Sequence, residues 1–258
     1  MKALHSIRLA TVFVLLFAAF GLTGRAQVSS NAQKVFDSMV EALGGKTFLD
    51  VKEIQTSGRY FTFRRNEVQT SDVFADYIKF PDMERTEFGK ERLKTIQINK
   101  GKEGWNVTPP AKGKDPDVQP QTSGQTQEFI DDFKTHFEYV ARFVAKAPKT
   151  SLVSAGTELI EYNRVDVLEI RDTEKNLLRI YVDRESHLPV KVQMRRADES
   201  SVTEEAYANW HRFDGVMTPL LVVQYKDGVK TREVRAEKVA YNVGFPDTLF
   251  APPAKTSK

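Results

Sequence analysis

The chain contains no cysteine among its 258 residues. This excludes a disulfide framework and any thiolate metal site, and it removes the cysteine that bacterial lipoprotein processing would modify. Histidine is almost as scarce, with four in all, and only His136, His187 and His211 lie beyond the first 26 positions. No GxSxG, HExxH, Walker or GxGxxG spacing occurs, so the motif-bearing hydrolase, zinc-protease, phosphate-loop and dinucleotide classes have no support. Charge of one sign is also lacking. The 38 basic and 35 acidic residues leave an excess of three, which matches Lys2, Arg8 and Arg25 in an N-terminal stretch free of acids. The rest is formally neutral and has no global basic balance for gripping nucleic acid.

Only one long apolar run is present, from Leu9 to Leu22, and it is short for a membrane span. Lys2 and Arg8 precede it, and Gly24-Arg25-Ala26 follows with small residues at the positions a signal peptidase reads. The pattern predicts a secretory signal cleaved after Ala26, with an uncleaved anchor as the alternative. No other segment could span a bilayer as a helix. Residues 27–258 then form one domain, exported to the periplasm.

What is abundant is alternation. The stretch Arg179 to Met194 sets Ile180 and Val182 against Leu188, Val190, Val192 and Met194 across a polar Asp183–His187 turn, a hairpin pattern. Further strands are expected at Glu53–Phe63, Glu67–Phe80, Met83–Phe88, Leu93–Asn99 and Glu103–Val107. After residue 150 they are expected at Glu158–Tyr162, Arg164–Arg171, Leu177–Val182, Leu188–Arg196, Val202–Phe213, Met217–Tyr225 and Val229–Tyr241. Two segments have helical spacing instead. From Ser30, the residues Val35, Phe36, Met39, Val40 and Leu43 form an apolar stripe that stops at Gly44-Gly45. From Thr126 to Ala147, Phe129, Phe133, Phe137, Val140 and Val144 form an aromatic stripe that ends before Pro148. Thr108–Gln125 has no apolar face and reads as a long surface loop.

Candidate chemistry is thin. Asp132 and His136 are four apart on the second helix and share a face, but two ligands do not make a metal site, and a solvated face with an ion pair accounts for them. Glu204-Glu205 and Asp131-Asp132 are adjacent, so their side chains diverge. Arg64-Arg65 and Arg195-Arg196 read as strand-end or solvated-face charge. Trp105 suits either an ordinary core or rim position or a groove.

The order of turn motifs carries a resemblance. Ala42–Gly45 (ALGG), Lys79–Arg85 (KFPDMER) and Asn99–Trp105 (NKGKEGW) running to Pro109 are followed by Tyr181–Asp183, Leu188–Lys191 (LPVK), Phe213–Pro219 (FDGVMTP) and Asn242–Pro253. This succession resembles the LolA/LolB-like superfamily of outer-membrane lipoprotein-sorting carriers. The resemblance implies a mainly β, α+β fold: a large antiparallel sheet curved into an unclosed half-barrel, its concave face covered by helices. It further implies a non-enzymatic carrier of lipid or lipidated protein, without cofactor or metal, monomeric, that exchanges acyl chains with a membrane-protein donor or acceptor. On that reading Phe129, Phe133 and Phe137 form the moving cover, and Phe61, Phe63, Phe74, Ile78, Phe80, Ile96, Ile98 and Trp105 line the groove. Such carriers hold the lid with a strand arginine, for which Arg59 and Arg85 are candidates. The alternatives are an envelope sensor or partner-binding domain with a filled core, and an exported hydrolase using Asp132 and His136.

Expressed with its own leader, the exported protein is expected to begin at Gln27. Intact-mass measurement checks this, and retention of residues 1–26 would make the segment an anchor.

Overall fold

The computed structural model describes residues 29–90, 93–110 and 115–253. The leader and its cut after Ala26 lie outside the described residues, as does part of the Thr108–Gln125 segment.

Thirteen strands form one antiparallel sheet. The first six are β1 (Glu53–Arg64), β2 (Glu67–Lys79), β3 (Met83–Phe88), β4 (Thr95–Lys100), β5 (Glu103–Thr108) and β6 (Asp117–Pro120). The other seven are β7 (Ser151–Ile160), β8 (Asn163–Arg171), β9 (Leu177–Asp183), β10 (Pro189–Arg195), β11 (Val202–Phe213), β12 (Val216–Lys226) and β13 (Val229–Tyr241). The spatial order is β6-β5-β4-β3-β2-β1-β13-β12-β11-β10-β9-β8-β7. Each half is thus a meander of chain neighbours, and the halves join where the first strand pairs with the last. β6 and β7 are the two edges, so the sheet is an unclosed half-barrel.

The period of two decides which residues face inward. On β1, Ile54, Thr56, Tyr60 and Thr62 face the concave side, while Phe61 lies under Arg59 and Arg235 on the convex side. The β1–β13 register shifts between Ser57 and Gly58, a bulge that sharpens the bend. The backbones approach so closely there that a Cβ on Gly58 would sit 2.1 Å from the Arg235 carbonyl oxygen.

Helix α1 (Ser30–Leu43) is capped by the Ser29 side chain and buries Ala32, Phe36, Met39 and Leu43. It stops at Gly44, where φ is 127° and a Cβ would press on the Gly215 carbonyl at 2.5 Å. The short α2 (Gly45–Leu49) follows. Phe36, Met39 and Phe48 join Leu152, Leu168, Ile170, Leu178, Ile180, Val192 and Met194 in a filled core on the second meander.

The second helix departs from expectation at both ends. Helix α3 (Ser123–Thr135) starts three residues before Thr126 because Thr122 and Gln125 form a reciprocal capping box. It stops at His136, whose ψ of 129° is extended, and the chain resumes as α4 (Phe137–Tyr139) and a π-helical turn, Val140–Val144. Two strands also differ. β6 recruits part of the expected loop onto the β5 edge, where Pro120, lacking an N–H, is tolerated. β7 begins at Ser151 rather than Glu158, with Leu152 buried beneath α1.

After β13 the tail crosses the convex face, where Phe245 and Phe250 cover Ile98 and Val107. The Glu53 carboxylate accepts hydrogen bonds from the backbone N–H groups of Gly244 (2.6 Å) and Phe245 (3.0 Å).

Gly58→Ala is expected to destabilise the protein by about 1–3 kcal/mol, the usual range for forced overpacking. Urea unfolding reads the loss directly, and an unchanged midpoint would mean that the joint tolerates separation.

Candidate functional site

Under α3, lined by β1–β5 and β10–β13, lies a cavity of about 930 Å3. This is the upper part of the ~300–1,000 Å3 range typical of small-ligand pockets. One wall is apolar: Phe74, Ile78 and Phe80 from β2 and the turn after it, Phe129 and Phe133 from α3, and Val222 and Val239 from β12 and β13. The α3 rings pack on one another and on Phe80, with centroids 5.3 Å apart for Phe129–Phe133 and 5.9 Å for Phe80–Phe133. Polar side chains interrupt this wall on the same concave face. A transverse row of cross-strand neighbours, Thr56, Asp76, Thr86, Gln97 and Asn106, runs from β1 to β5. A second row carries Glu84 beside Asn99.

Ion pairs tie the helical cover to the sheet. Asp131 meets Arg196, which follows β10, at 2.6 Å, and Asp132 meets Arg232 of β13. His136 Nε2 lies 3.2 Å from Glu205 of β11. Tyr207 donates to Glu205 (2.8 Å) and accepts from the Phe137 N–H (3.3 Å), so one strand holds both the imidazole and the backbone where the helix breaks. Arg142, on the π-helical turn, donates to the Phe48 carbonyl at 2.7 Å and stacks over the Phe48 ring at 4.1 Å.

The electrostatics follow from crowding acids into a partly dry space. Burial disfavours the His136 imidazolium, but Glu205 outweighs it and raises the group to about 10. Burial likewise opposes ionised Glu205, and His136 overcomes it, so that carboxyl is lowered. Burial first, then the nearby Asp76 charge, pushes Glu84 up to about 8. Asp76 rises to about 6, chiefly through burial, although Thr86 donates to it at 2.8 Å. Burial also raises Glu138.

The residues proposed from sequence separate into groups. Phe74, Ile78, Phe80, Phe129 and Phe133 come together around the cavity. Phe137 packs instead with Phe48, Tyr207 and Trp210. Phe61 and Phe63 lie on the convex side beneath Arg235 and Lys230. Ile96, Ile98 and Trp105 form the convex cluster under the tail, which is the ordinary packing role for Trp105. Arg59 donates to Ser71, and Arg85 to the Leu249 carbonyl and to Glu87, so neither touches the cover. The arginines that do are Arg232 and Arg196, while Arg142 stands on the helical segment itself and reaches Phe48 of α2. Asp132 and His136 are not on a solvated face, because both point into the cavity toward partners on β13 and β11. Arg196 likewise pairs with the cover rather than standing in solvent. The signal for the acids was present in the sequence: by the period that places Phe74 and Ile78 inward, Asp76 between them faces the same way.

No family model matches the chain, and no curated protein matches it. Solved structures do. A DUF1329 family protein from Desulfovibrio piger superposes with a TM-score of 0.59 at 14% identity, covering 86% of this chain and 98% of that one. The LolA superfamily protein NE2245 from Nitrosomonas europaea gives 0.56 at 13% identity, over 86% and 97%. A domain described as outer membrane lipoprotein-sorting, from Vibrio parahaemolyticus, gives 0.55 at 14% identity, over 86% and 97%. The fold is LolA-like.

These shifts set a pH dependence. His136, raised from 6.5 to about 10, contributes stability that is fully present below 6.5 and lost as pH rises toward 10. Glu84, raised from 4.5 to about 8, acts in the same direction between those values. Glu205, lowered from 4.5, contributes stability present above 4.5 and lost in acid. Denaturant midpoints are therefore expected to be highest between pH 4.5 and 6.5 and to fall toward pH 9, with Glu84→Gln removing part of that fall. A midpoint that rises from pH 6 to 9 would contradict the His136–Glu205 assignment.

Proposed function

We propose that the protein is an exported, non-enzymatic binder or carrier of lipid or lipidated protein. It holds an acyl chain against the Phe74–Ile78–Phe80 wall beneath α3. The observation that carries this reading is the cavity of about 930 Å3 with one aromatic and aliphatic wall, open within a half-barrel whose other half is solidly packed. Burying an acyl chain is worth roughly 0.8 kcal/mol per methylene, so about 16 carbons supply on the order of 10 kcal/mol. A solved structure named for outer-membrane lipoprotein sorting and one of the LolA superfamily share the architecture, which supports a carrier without identifying its cargo.

The cover suits release as well as capture. Asp131–Arg196 and Asp132–Arg232 bridge α3 to the sheet, and the helix is interrupted at His136, so α3 can move without dragging the packed α4 segment. We read residues 27–258 as one periplasmic domain that meets a membrane-bound donor or acceptor. A second reading, a partner-binding or sensor domain, draws on the packed core under α1, where Phe36, Met39 and Phe48 are buried.

Native mass spectrometry of the exported protein, purified without detergent, is expected to show a stoichiometric lipid or acylated peptide, recovered also in an organic extract. A protein that is empty as isolated and stays empty after incubation with phospholipid vesicles would refute the carrier reading and favour the partner-binding one.

A further inference from the structure

An acyl-chain groove needs no carboxylates, yet this one holds two half-buried carboxyls that the cover does not neutralise. Asp131, Asp132 and Glu205 have cationic partners in Arg196, Arg232 and His136. Asp76 and Glu84 form no ion pair among the described residues, and Asp76 accepts from the neutral Thr86 hydroxyl at 2.8 Å. They lie on adjacent strands on the concave face, with Asp76 between Phe74 and Ile78 of the apolar wall and Glu84 directly across from Ile78.

Directly across from Glu84 in the β3–β4 register is Asn99. It is 6% exposed, lines the same cavity, and its Oδ1 has no hydrogen-bond partner. Native proteins rarely leave a buried acceptor unpaired, because it has given up water for nothing. Two carboxyls and an amide oxygen thus line one side of the cavity as acceptors, on the neighbouring strands β2, β3 and β4. That side is therefore built for a positively charged donor. No group of acids and histidines among the described residues could hold a metal ion, whereas a primary ammonium carries three N–H donors for these three acceptors.

Resting on the lipid-binding reading above, we infer that Asp76, Glu84 and Asn99 form a head-group subsite for an amphiphile bearing a primary amine, its tail lying along Phe74, Phe80, Phe129 and Phe133. Other charged and titratable groups face the pair. His136, at the break after α3, and Arg232 of β13 are both cationic, but Glu205 and Asp132 already balance them. Tyr60 of β1 and Glu138 of α4 complete the set. Without a bound cation, the acid pair retains a proton at neutral pH, since burial and the Asp76 charge hold Glu84 at about 8. An entering ammonium takes that proton's place, so binding near pH 7 releases it to solvent.

The test is calorimetric titration of the full exported chain at pH 7 with decylamine, decanol and decyltrimethylammonium. The first carries charge and N–H donors, the second neither charge nor an N–H, and the third charge alone. Decylamine is expected to bind at least about tenfold more tightly than either of the others. Repeating the titration in buffers of different ionisation heat is expected to reveal proton release. The double variant Asp76→Asn, Glu84→Gln should lose the decylamine preference and the proton release while binding decanol as the native protein does, which also shows that it folds. Equal affinity for decylamine and decanol, or a preference that survives in the double variant, overturns the head-group assignment and leaves the lipid-binding reading standing. Failure of all three probes to bind overturns both.

Discussion

The pairing of β1 with β13 is the constraint on which the rest of the structure depends. Every other strand pair joins chain neighbours, whereas this one brings Ile54 against Tyr241 and so closes almost the whole chain. The entropy of closing such a loop rises slowly with its length, but it must be overcome before the contact returns anything. Several local features reinforce the joint. The Gly58 bulge allows the backbones to meet, Glu53 gathers the N–H groups of the tail just beyond β13, and the tail's aromatic rings seal the convex face.

This one pairing also creates the cavity. Asp76 and Glu84 belong to the first meander, and Glu205 and Arg232 to the second. They share a volume only because the concave faces of the two halves become continuous across β1 and β13. The halves then diverge. α1, α2 and the segment after His136 fill the trough over the second meander with a packed core, while α3 bridges the trough near the joint on ion pairs and a few aromatic contacts. A packed half supplies stability that an open half does not, so the sheet can enclose a cavity without losing its form.

His136 links the two regimes. Its extended backbone ends α3 and begins the packed segment, and Glu205 and Tyr207 fix it from the sheet. The same carboxylate that stabilises the imidazolium also anchors, through Tyr207, the first N–H after the break. A change in charge at this point therefore acts on the cover's geometry and on the cavity's electrostatics together.

The residue pattern by itself determined most of the elements. Period-two alternation located most of the strands, the Phe36–Met39–Leu43 stripe gave α1, and the order of turn motifs pointed to a half-barrel, because these signals are local and each element must hide one face. Thr122 and Gln125 carried a capping signal that fixes the start of α3 just as locally. Only the tertiary structure decided which face of each strand is the inner one. Phe61, Ile98 and Trp105 alternate as regularly as Phe74 and Ile78, and burial against the tail or beneath arginine stems satisfies them as well as a groove would. It alone decided the lid contacts too, since Arg232 and Asp132 are a hundred residues apart and no local rule pairs them. The break at His136 follows from the same cause: helical spacing continues through it, and hydrogen bonds from a distant strand override that propensity.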